Sequence, residues 1–378
     1  MTSSAAAASA SIPARPVAAG SKARLTVHLD AIADNWRALA AKAPTAEAAA
    51  VVKADAYGTG LAPAATALHE AGARTFFVAQ AGEGAALRET LGPGPAIYVF
   101  NGYMPDDAPA FRGTDLRPVL SSPFQVEAWL AARDDIRPTS GPGLHIESGI
   151  NRLGFTAAEL DALRADPPEG LDLTLVMSHL ANADEPANSM NARQRGAFLG
   201  RSELASRIAP GARRSLAATG GTLLGAPFHF DLVRPGVGLY GGEPFVDARH
   251  VVTLMVPFLQ VREIPAGESV GYGATWTARR ASRIGVLPIG YADGLHRLSK
   301  DFDVYVNGRP APVAGRVSMD MITVDLTDIP EPSPGDFAEI LGPNQNVDRL
   351  AAASGTTGYE VLTGLGARYL RTYEKAGA

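Results

Sequence analysis

The chain has 378 residues, 46% hydrophobic and 19% charged, with a formal net charge of -5 and no cysteine. That length suits two domains, or one large barrel with an appendage. The acidic balance argues against nucleic-acid binding, which needs a basic face; the missing cysteine excludes disulfides, zinc–thiolate sites and iron–sulfur clusters; and no apolar run reaches the ~18–20 residues of a membrane span.

Met1 to Gly20 is rich in Ala, Ser and Pro, with Arg15 its single charge. It lacks the basic start and Leu-rich segment of a secretory signal, so residues 1–23 read as a disordered tail on a cytoplasmic protein. Arg24 to Leu29 alternates apolar and polar side chains, as a half-buried strand does, and Asp30 is a candidate N-cap for a helix through Trp36 to Ala41. From Ala49 onward short apolar runs alternate with helical patterns. Strands are expected at 49–53, 75–79, 96–100, 117–120, 143–147, 172–178, 213–218 and 232–237, and helices near 61–71, 82–90, 104–111, 123–133, 156–164 and 191–208. About eight such units predict a closed (β/α)8 barrel over residues 24–244 rather than an open doubly wound sheet. Past Gly241-Gly242 the character changes. Val251–Val261, Ser282–Ile289, Phe302–Val306, Ile322–Leu326 and Asp336–Leu341 are β-rich runs split by turn signals at Asn307-Gly308 and Pro334-Gly335, which predicts a mostly antiparallel β-domain over 245–378. The strand at 24–29 precedes the barrel count and is a candidate to pair with that domain.

A barrel of this kind places its chemistry at the C-terminal ends of its strands. The first strand runs Ala49 to Val52 and ends on Lys53, followed by Tyr57, Gly58 and Gly60. A lysine held there has a packed stem and a partly desolvated amine, which lowers its pKa toward that of a carbonyl-condensing nucleophile. An ordinary strand-end lysine reaching into water reads the same way, so Lys53 alone decides nothing. The fifth strand leads to Arg152 in a glycine-flanked loop, the sixth to His179, the seventh to Thr219-Gly220-Gly221, and the eighth to Arg234-Pro235-Gly236-Val237. Jointly these residues describe a site for an anionic, phosphate-bearing cofactor with a lysine beneath it. The string Gly236 to Gly241 matches G-x-G-x-x-G, but Gly242-Glu243-Pro244 cannot open the helix that a dinucleotide fingerprint requires.

These blocks carry a resemblance. Val51 to Gly58, Gly149 to Gly154, Ser178 to Ala181 and Phe230 to Gly236 are similar to motifs of the alanine racemases, pyridoxal-phosphate enzymes of fold type III. So are Val270 to Thr275, Pro288 to Gly294, Gly315 to Asp320 and Gly358 to Leu362, in the same order, and the likeness runs from about Arg24 to Tyr373. It implies that Lys53 binds pyridoxal 5'-phosphate covalently and acts as the base on the D-face, with Tyr272 the opposing base. Tyr57, Thr219, Gly236, Val237 and Tyr359 would hold the phosphate, and Arg234 the pyridine nitrogen. A guanidinium does not yield its proton, so the ring would be a weaker electron sink and the carbanion short-lived. His179 would orient Arg234 and bias Tyr272 toward ionisation. Arg152 would contact the cofactor phenolate and, with the Met319 amide, the substrate carboxylate. Asp184, Tyr291, Arg316 and Asp320 match positions of the access corridor. The resemblance further implies a homodimer with shared sites and D-alanine production for peptidoglycan.

The chain also departs from the family pattern. His145 stands where many relatives have a lysine carbamylated to steady the arginine, Ala218-Thr219 where they often have Asn-Ser, and Ser318 beside Met319 where a cysteine is frequent. A broader amino-acid racemase acting on serine or lysine stays open, as does a non-catalytic carrier of the cofactor, although a carrier needs no second base. Fold-type III decarboxylases would want a cysteine or acid cluster in the Gly315–Asp320 stretch.

Overall fold

The computed structural model describes residues 23–297, 302–330, 332 and 335–375; residues 1–22 of the tail expected over 1–23, and Pro334 of the second turn signal, lie outside the described residues, whereas Ala23 is buried and its carbonyl accepts from the Leu370 amide at 2.9 Å. The first barrel strand is split into Glu47–Ala48 and Ala50–Val51. Six more follow in chain order, Thr75–Val78, Ala96–Val99, Leu116–Leu120, Gly143–His145, Leu175–Met177 and Arg213–Ser215, each parallel to its predecessor. The eighth, Leu232–Val233, pairs in parallel with Glu47–Ala48, and the Ala49 and Val51 amides donate to the Val233 and Pro235 carbonyls at 2.9 and 3.1 Å. On its other side the Asp231 and Arg234 amides donate to Arg214 and Ala217, so the sheet closes as the eight-fold beat predicts.

Phe76 and Phe77 are consecutive and both fully buried, the signature of a parallel strand covered on two faces. Phe77 stacks on Tyr98 and Phe100 with ring centroids 5.1 and 5.0 Å apart, making an aromatic floor beneath the barrel mouth. Helices Leu61–Ala71, Ala81–Leu91, Pro123–Ile136, Ala157–Ala165 and Ser189–Ser206 stand where the periodicity places them. The expected helix over 104–111 divides into a 3-10 turn, Pro105–Asp107, and a single turn, Ala108–Phe111, because each has a proline in its first two positions, Pro105 and Pro109, that lacks the amide a longer helix would need. Asp30 is not an N-cap: the helix runs Leu29–Lys42 from His28, and Asp30 sits in its first turn, where its charge favours the helix dipole. That helix precedes the first barrel strand yet also holds the loop after the eighth, since Asn35 donates to the Leu239 and Arg249 carbonyls.

Several strands stop short of their expected C-terminal ends, at His145 instead of 147, Met177 instead of 178, Ser215 instead of 218 and Val233 instead of 237. Ile146 and Leu216-Ala217 continue the apolar runs, but beyond each of these four ends the backbone leaves the ladder to form the rim loops.

Arg24–His28 pairs antiparallel with Val252–Pro257 and parallel with Leu370–Glu374, in a six-stranded sheet completed by Phe337–Leu341, Asp303–Val306 and Arg309–Pro312. Asn307 and Gly308 turn the last hairpin with φ of 52 and 75°, the mirror-image turn that Asn-Gly favours. A second sheet holds Gln260–Ile264, Ser282–Leu287 and Ile322–Asp325. Among the described residues no helix is long and apolar enough to cross a membrane.

Candidate active site

Lys53 stands at the barrel rim, half-buried, with Nζ 5.9 Å from the Phe100 ring centroid. Burial lowers its pKa below the ordinary lysine value, and the Arg152 and Arg234 guanidiniums lower it further, while Glu83 acts the other way. The chain does not turn on glycines alone after Lys53. Ala54, Asp55, Ala56 and Tyr57 all adopt left-handed helical angles, with φ between 53 and 55°. That costs roughly 1–2 kcal/mol for each non-glycine residue, so the turn persists only because its surroundings fix it. The Ala54 amide donates to Glu83 Oε1 at 2.6 Å, the Leu61 amide to Asp55 Oδ1 at 2.7 Å, and Arg371 Nη1 to the Gly58 carbonyl at 2.7 Å. The turn delivers Tyr57 inward, where it stacks on Tyr240 and lies against the Gly236 backbone so closely that a side chain at 236 would collide with its hydroxyl.

A cavity of about 600 Å³ opens at this rim. Lys53, Tyr57, Arg152, His179, Asp184, Thr219, Arg234, Gly236, Val237 and Tyr359 all line it. Thr219 Oγ1 accepts from the Gly236 and Gly238 amides at 3.0 and 3.3 Å. With both lone pairs taken, its own proton is the one left to give. Burial pushes the Tyr57 phenol well above its usual range, and burial with the nearby Asp184 and Asp348 carboxylates pushes Tyr359 up to about 12. Three protonated hydroxyls thus cluster at one end beside the Gly236 backbone, a donor set suited to a phosphate. The cavity volume lies within the range of small-molecule sites, and the lysine stands at the same mouth, so these residues fit pyridoxal phosphate.

Arg234 is fully buried. Its Nε donates to Ser215 Oγ at 2.8 Å, and Nη2 to the Ser178 and Leu216 carbonyls. Burial pulls it down to about 9, which leaves it charged at neutral pH. The resemblance assigns its orientation to His179, whereas the hydrogen bonds that fix it here come from Ser215 and two backbone carbonyls. Burial, then Arg234 and Arg152, pull His179 down to about 3, and burial with the same guanidiniums pulls His145 down to about 4. Both imidazoles are neutral near pH 7, and the buried His145 Nε2 has no hydrogen-bond partner. Arg152 is exposed at the rim, on a loop that Glu147 shapes by accepting from the Gly149 and Asn151 amides; Arg201 in turn donates to Glu147.

Other predicted residues do not reach this cavity within the chain. Tyr272 is 72% exposed, between the short strands Ser269–Val270 and Trp276–Thr277, and with Arg316 it lines a second cavity on the β-domain. Met319 and Tyr291 are exposed on the same domain, and Asp320 is paired with Arg368 at 2.7 Å. Ser215, Glu83 and Arg201 escaped the sequence reading: each acts through another residue, and no local spacing marks that.

Comparison with known proteins places this geometry. The family model for the alanine racemase N-terminal domain matches residues 27–244, and that for the alanine racemase C-terminal domain matches residues 251–373. The alanine racemase of Ruegeria sp. (strain TM1040) is 50% identical over 355 residues, covering 93% of this chain and 99% of that protein. Among solved structures, alanine racemase from Bartonella henselae with covalently bound pyridoxal phosphate superposes with a TM-score of 0.87 at 36% identity, over 93% of this chain and 99% of the other. Biosynthetic alanine racemase from Pseudomonas aeruginosa gives 0.85 at 38%, over 94% and 99%. A closed barrel with a lysine at its mouth, a β-domain carrying an exposed tyrosine, and matches along both domains make this chain a member of the alanine racemase family, isomerases dependent on pyridoxal phosphate.

Proposed function

We propose that this chain interconverts L- and D-alanine by a two-base mechanism, with pyridoxal phosphate on Lys53. The observation that carries the reading is the convergence of Lys53, Tyr57, Arg152, Thr219, Arg234 and Tyr359 on one cavity. When bound, the cofactor supplies a conjugated ring that takes up the electrons of a broken Cα–H bond. Tyr57, Thr219 and Tyr359 would donate hydrogen bonds to its phosphate, beside the Gly236 and Val237 backbone. Arg234, protonated and fixed by Ser215, would donate a hydrogen bond to the ring nitrogen without surrendering its proton. Lys53 moves the proton on one face, its free amine favoured by burial and by the Arg152 guanidinium. Inversion needs a second base on the opposite face, and Tyr272 is the candidate. Its exposure in a single chain supports a homodimer in which Tyr272 of a second copy enters this mouth, bringing Met319, Tyr291, Arg316 and Asp320 toward Asp184 at the approach. Two-fold symmetry then builds two sites from both chains. The product fits D-alanine supply for peptidoglycan in the cytoplasm.

Borohydride treatment of the protein with pyridoxal phosphate should fix the label on the Lys53 peptide; a label on another lysine overturns the assignment. Racemisation of a panel of L-amino acids should give alanine the highest kcat/KM. Comparable values for serine or lysine would replace alanine with the broader reading.

A further inference from the structure

Glu83 lies in the first turn of the helix Ala81–Leu91, and its two carboxylate oxygens do different work. Oε2 accepts from the Ala79 and Gln80 amides at 2.8 and 3.1 Å, which completes the start of its own helix. Oε1 is not needed there. It reaches across to the loop after the first barrel strand and accepts from the Ala54 amide at 2.6 Å, the residue next to Lys53.

The geometry points to Glu83 as a positioning residue for Lys53, one that ties the first two rim loops together and fixes a negative charge at the backbone amide that follows the lysine. This inference rests on the reading of Lys53 as the cofactor-binding base. The charged and titratable groups that act on Lys53 come from four sides: Arg152 from the fifth-strand loop, Arg234 from the eighth strand, His179 from the sixth, and Glu83. Burial and both guanidiniums favour the free amine, and the imidazole is neutral. Glu83 alone among them favours the ammonium. A group that takes a proton in one direction and returns it in the other must be populated in both forms. Without Glu83 the amine would remain an acceptor and become a poor donor. Left-handed backbone from Ala54 to Tyr57 gives the same side chain a second task, because the turn begins at the amide it holds.

The test is competitive acetylation of the full chain freed of pyridoxal phosphate, followed at the Lys53 peptide by mass spectrometry across a pH series, with Lys42 as internal control. In Glu83→Gln the Lys53 midpoint should move to lower pH and its labelling at neutral pH should rise several-fold, with Lys42 unchanged. Glu83→Asp keeps the charge but draws it back by a methylene, so its midpoint should fall between the two. A folded Glu83→Gln protein with the wild-type midpoint overturns the proposal. Should Glu83→Gln not fold, Glu83→Asp decides, and a wild-type midpoint there overturns it equally. Borohydride labelling of another lysine would instead remove the cofactor reading and leave the Glu83–Lys53 coupling measurable.

Discussion

Lys53 and Tyr272 sit on surfaces of opposite character. The rim around Lys53 is closed on itself: its turn is held by Glu83, Asp55 and Arg371, Arg234 by Ser215, and the Arg152 loop by Glu147 and Arg201. The face around Tyr272 is open, on a two-stranded ribbon whose ring projects with 72% of its surface exposed. One surface is ordered by its own chain, and the other carries an aromatic residue that its own chain leaves mostly exposed. An aromatic left exposed between conformationally special glycines belongs to an interface more naturally than to a monomer's surface. The contrast predicts where damage stays local and where it crosses between chains.

The largest effect should come from removing a base. Tyr272→Phe keeps the ring and loses the hydroxyl, and positioned acid–base groups contribute ~10²–10⁴-fold. In deuterated solvent the variant should lose proton abstraction from L-alanine by about that factor while exchange into D-alanine partly survives through Lys53. Equal loss in both directions, with the fold intact by circular dichroism, would mean that the two residues do not divide the faces.

Mixing subunits sharpens the same contrast. Lys53→Ala and Tyr272→Phe homodimers should each be inactive. In a mixed dimer one site collects both defects, and the other pairs an intact Lys53 with an intact Tyr272. Activity should return to about half of the wild-type value per mixed dimer. Mixed dimers that form by native mass spectrometry and stay inactive would place both bases on one chain.

Acid should attack the barrel side first. His145 falls from an ordinary 6.5 to about 4 on folding, chiefly through burial. Above pH 6.5 neither state holds the proton. As pH falls from 6.5 toward 4, the unfolded chain takes a proton that the folded chain refuses, so stability is lost across that window, by about 3 kcal/mol in all. His145→Gln removes that titration. Its melting temperature should fall less steeply between pH 6.5 and 4 than the wild type's, and parallel curves would show that His145 is not the group responsible.

Much of this arrangement is legible in the sequence because it rests on period and punctuation. Strands buried on both faces write themselves as runs such as Thr75–Val78, and Lys53, Arg152, His179, Thr219 and Arg234 fall where such runs end. The left-handed turn is not legible. Ala54, Asp55, Ala56 and Tyr57 have no local preference for positive φ, and what holds them comes from Glu83 and from Arg371, more than 300 positions away. Strand ends were overrun for a related reason: Leu216 and Ala217 are as apolar and buried as a strand, but their backbone leaves the ladder to receive Arg234. Ser215 gave no signal either, because its hydroxyl matters only once Arg234 is folded against it.

Two glycines separate backbone strain from packing in the two regions. Gly58, on the Lys53 turn, and Gly273, beside Tyr272, have the same φ of 77°. Alanine at either position therefore carries the same left-handed strain, about 1 kcal/mol. The surroundings differ. A Cβ at Gly58 would fall inside contact distance of the Leu362 carbonyl oxygen, with the Leu362 carbonyl carbon and Thr363 Cα close behind, all backbone that cannot step aside. A Cβ at Gly273 would meet only the end of the Arg316 side chain, at 3.0 Å, which can swing away. Gly58→Ala should lose at least about 2 kcal/mol in denaturant unfolding, strain plus overpacking, and weaken pyridoxal-phosphate binding, because Tyr57 is the preceding residue. Gly273→Ala should lose only the strain, about 1 kcal/mol, and leave cofactor affinity unchanged, with any loss of racemisation appearing in kcat through Tyr272. If the two variants lose equal stability and equal cofactor affinity, the barrel rim is no more tightly fixed than the β-domain ribbon, and the distinction between a self-contained surface and one completed by a second chain fails.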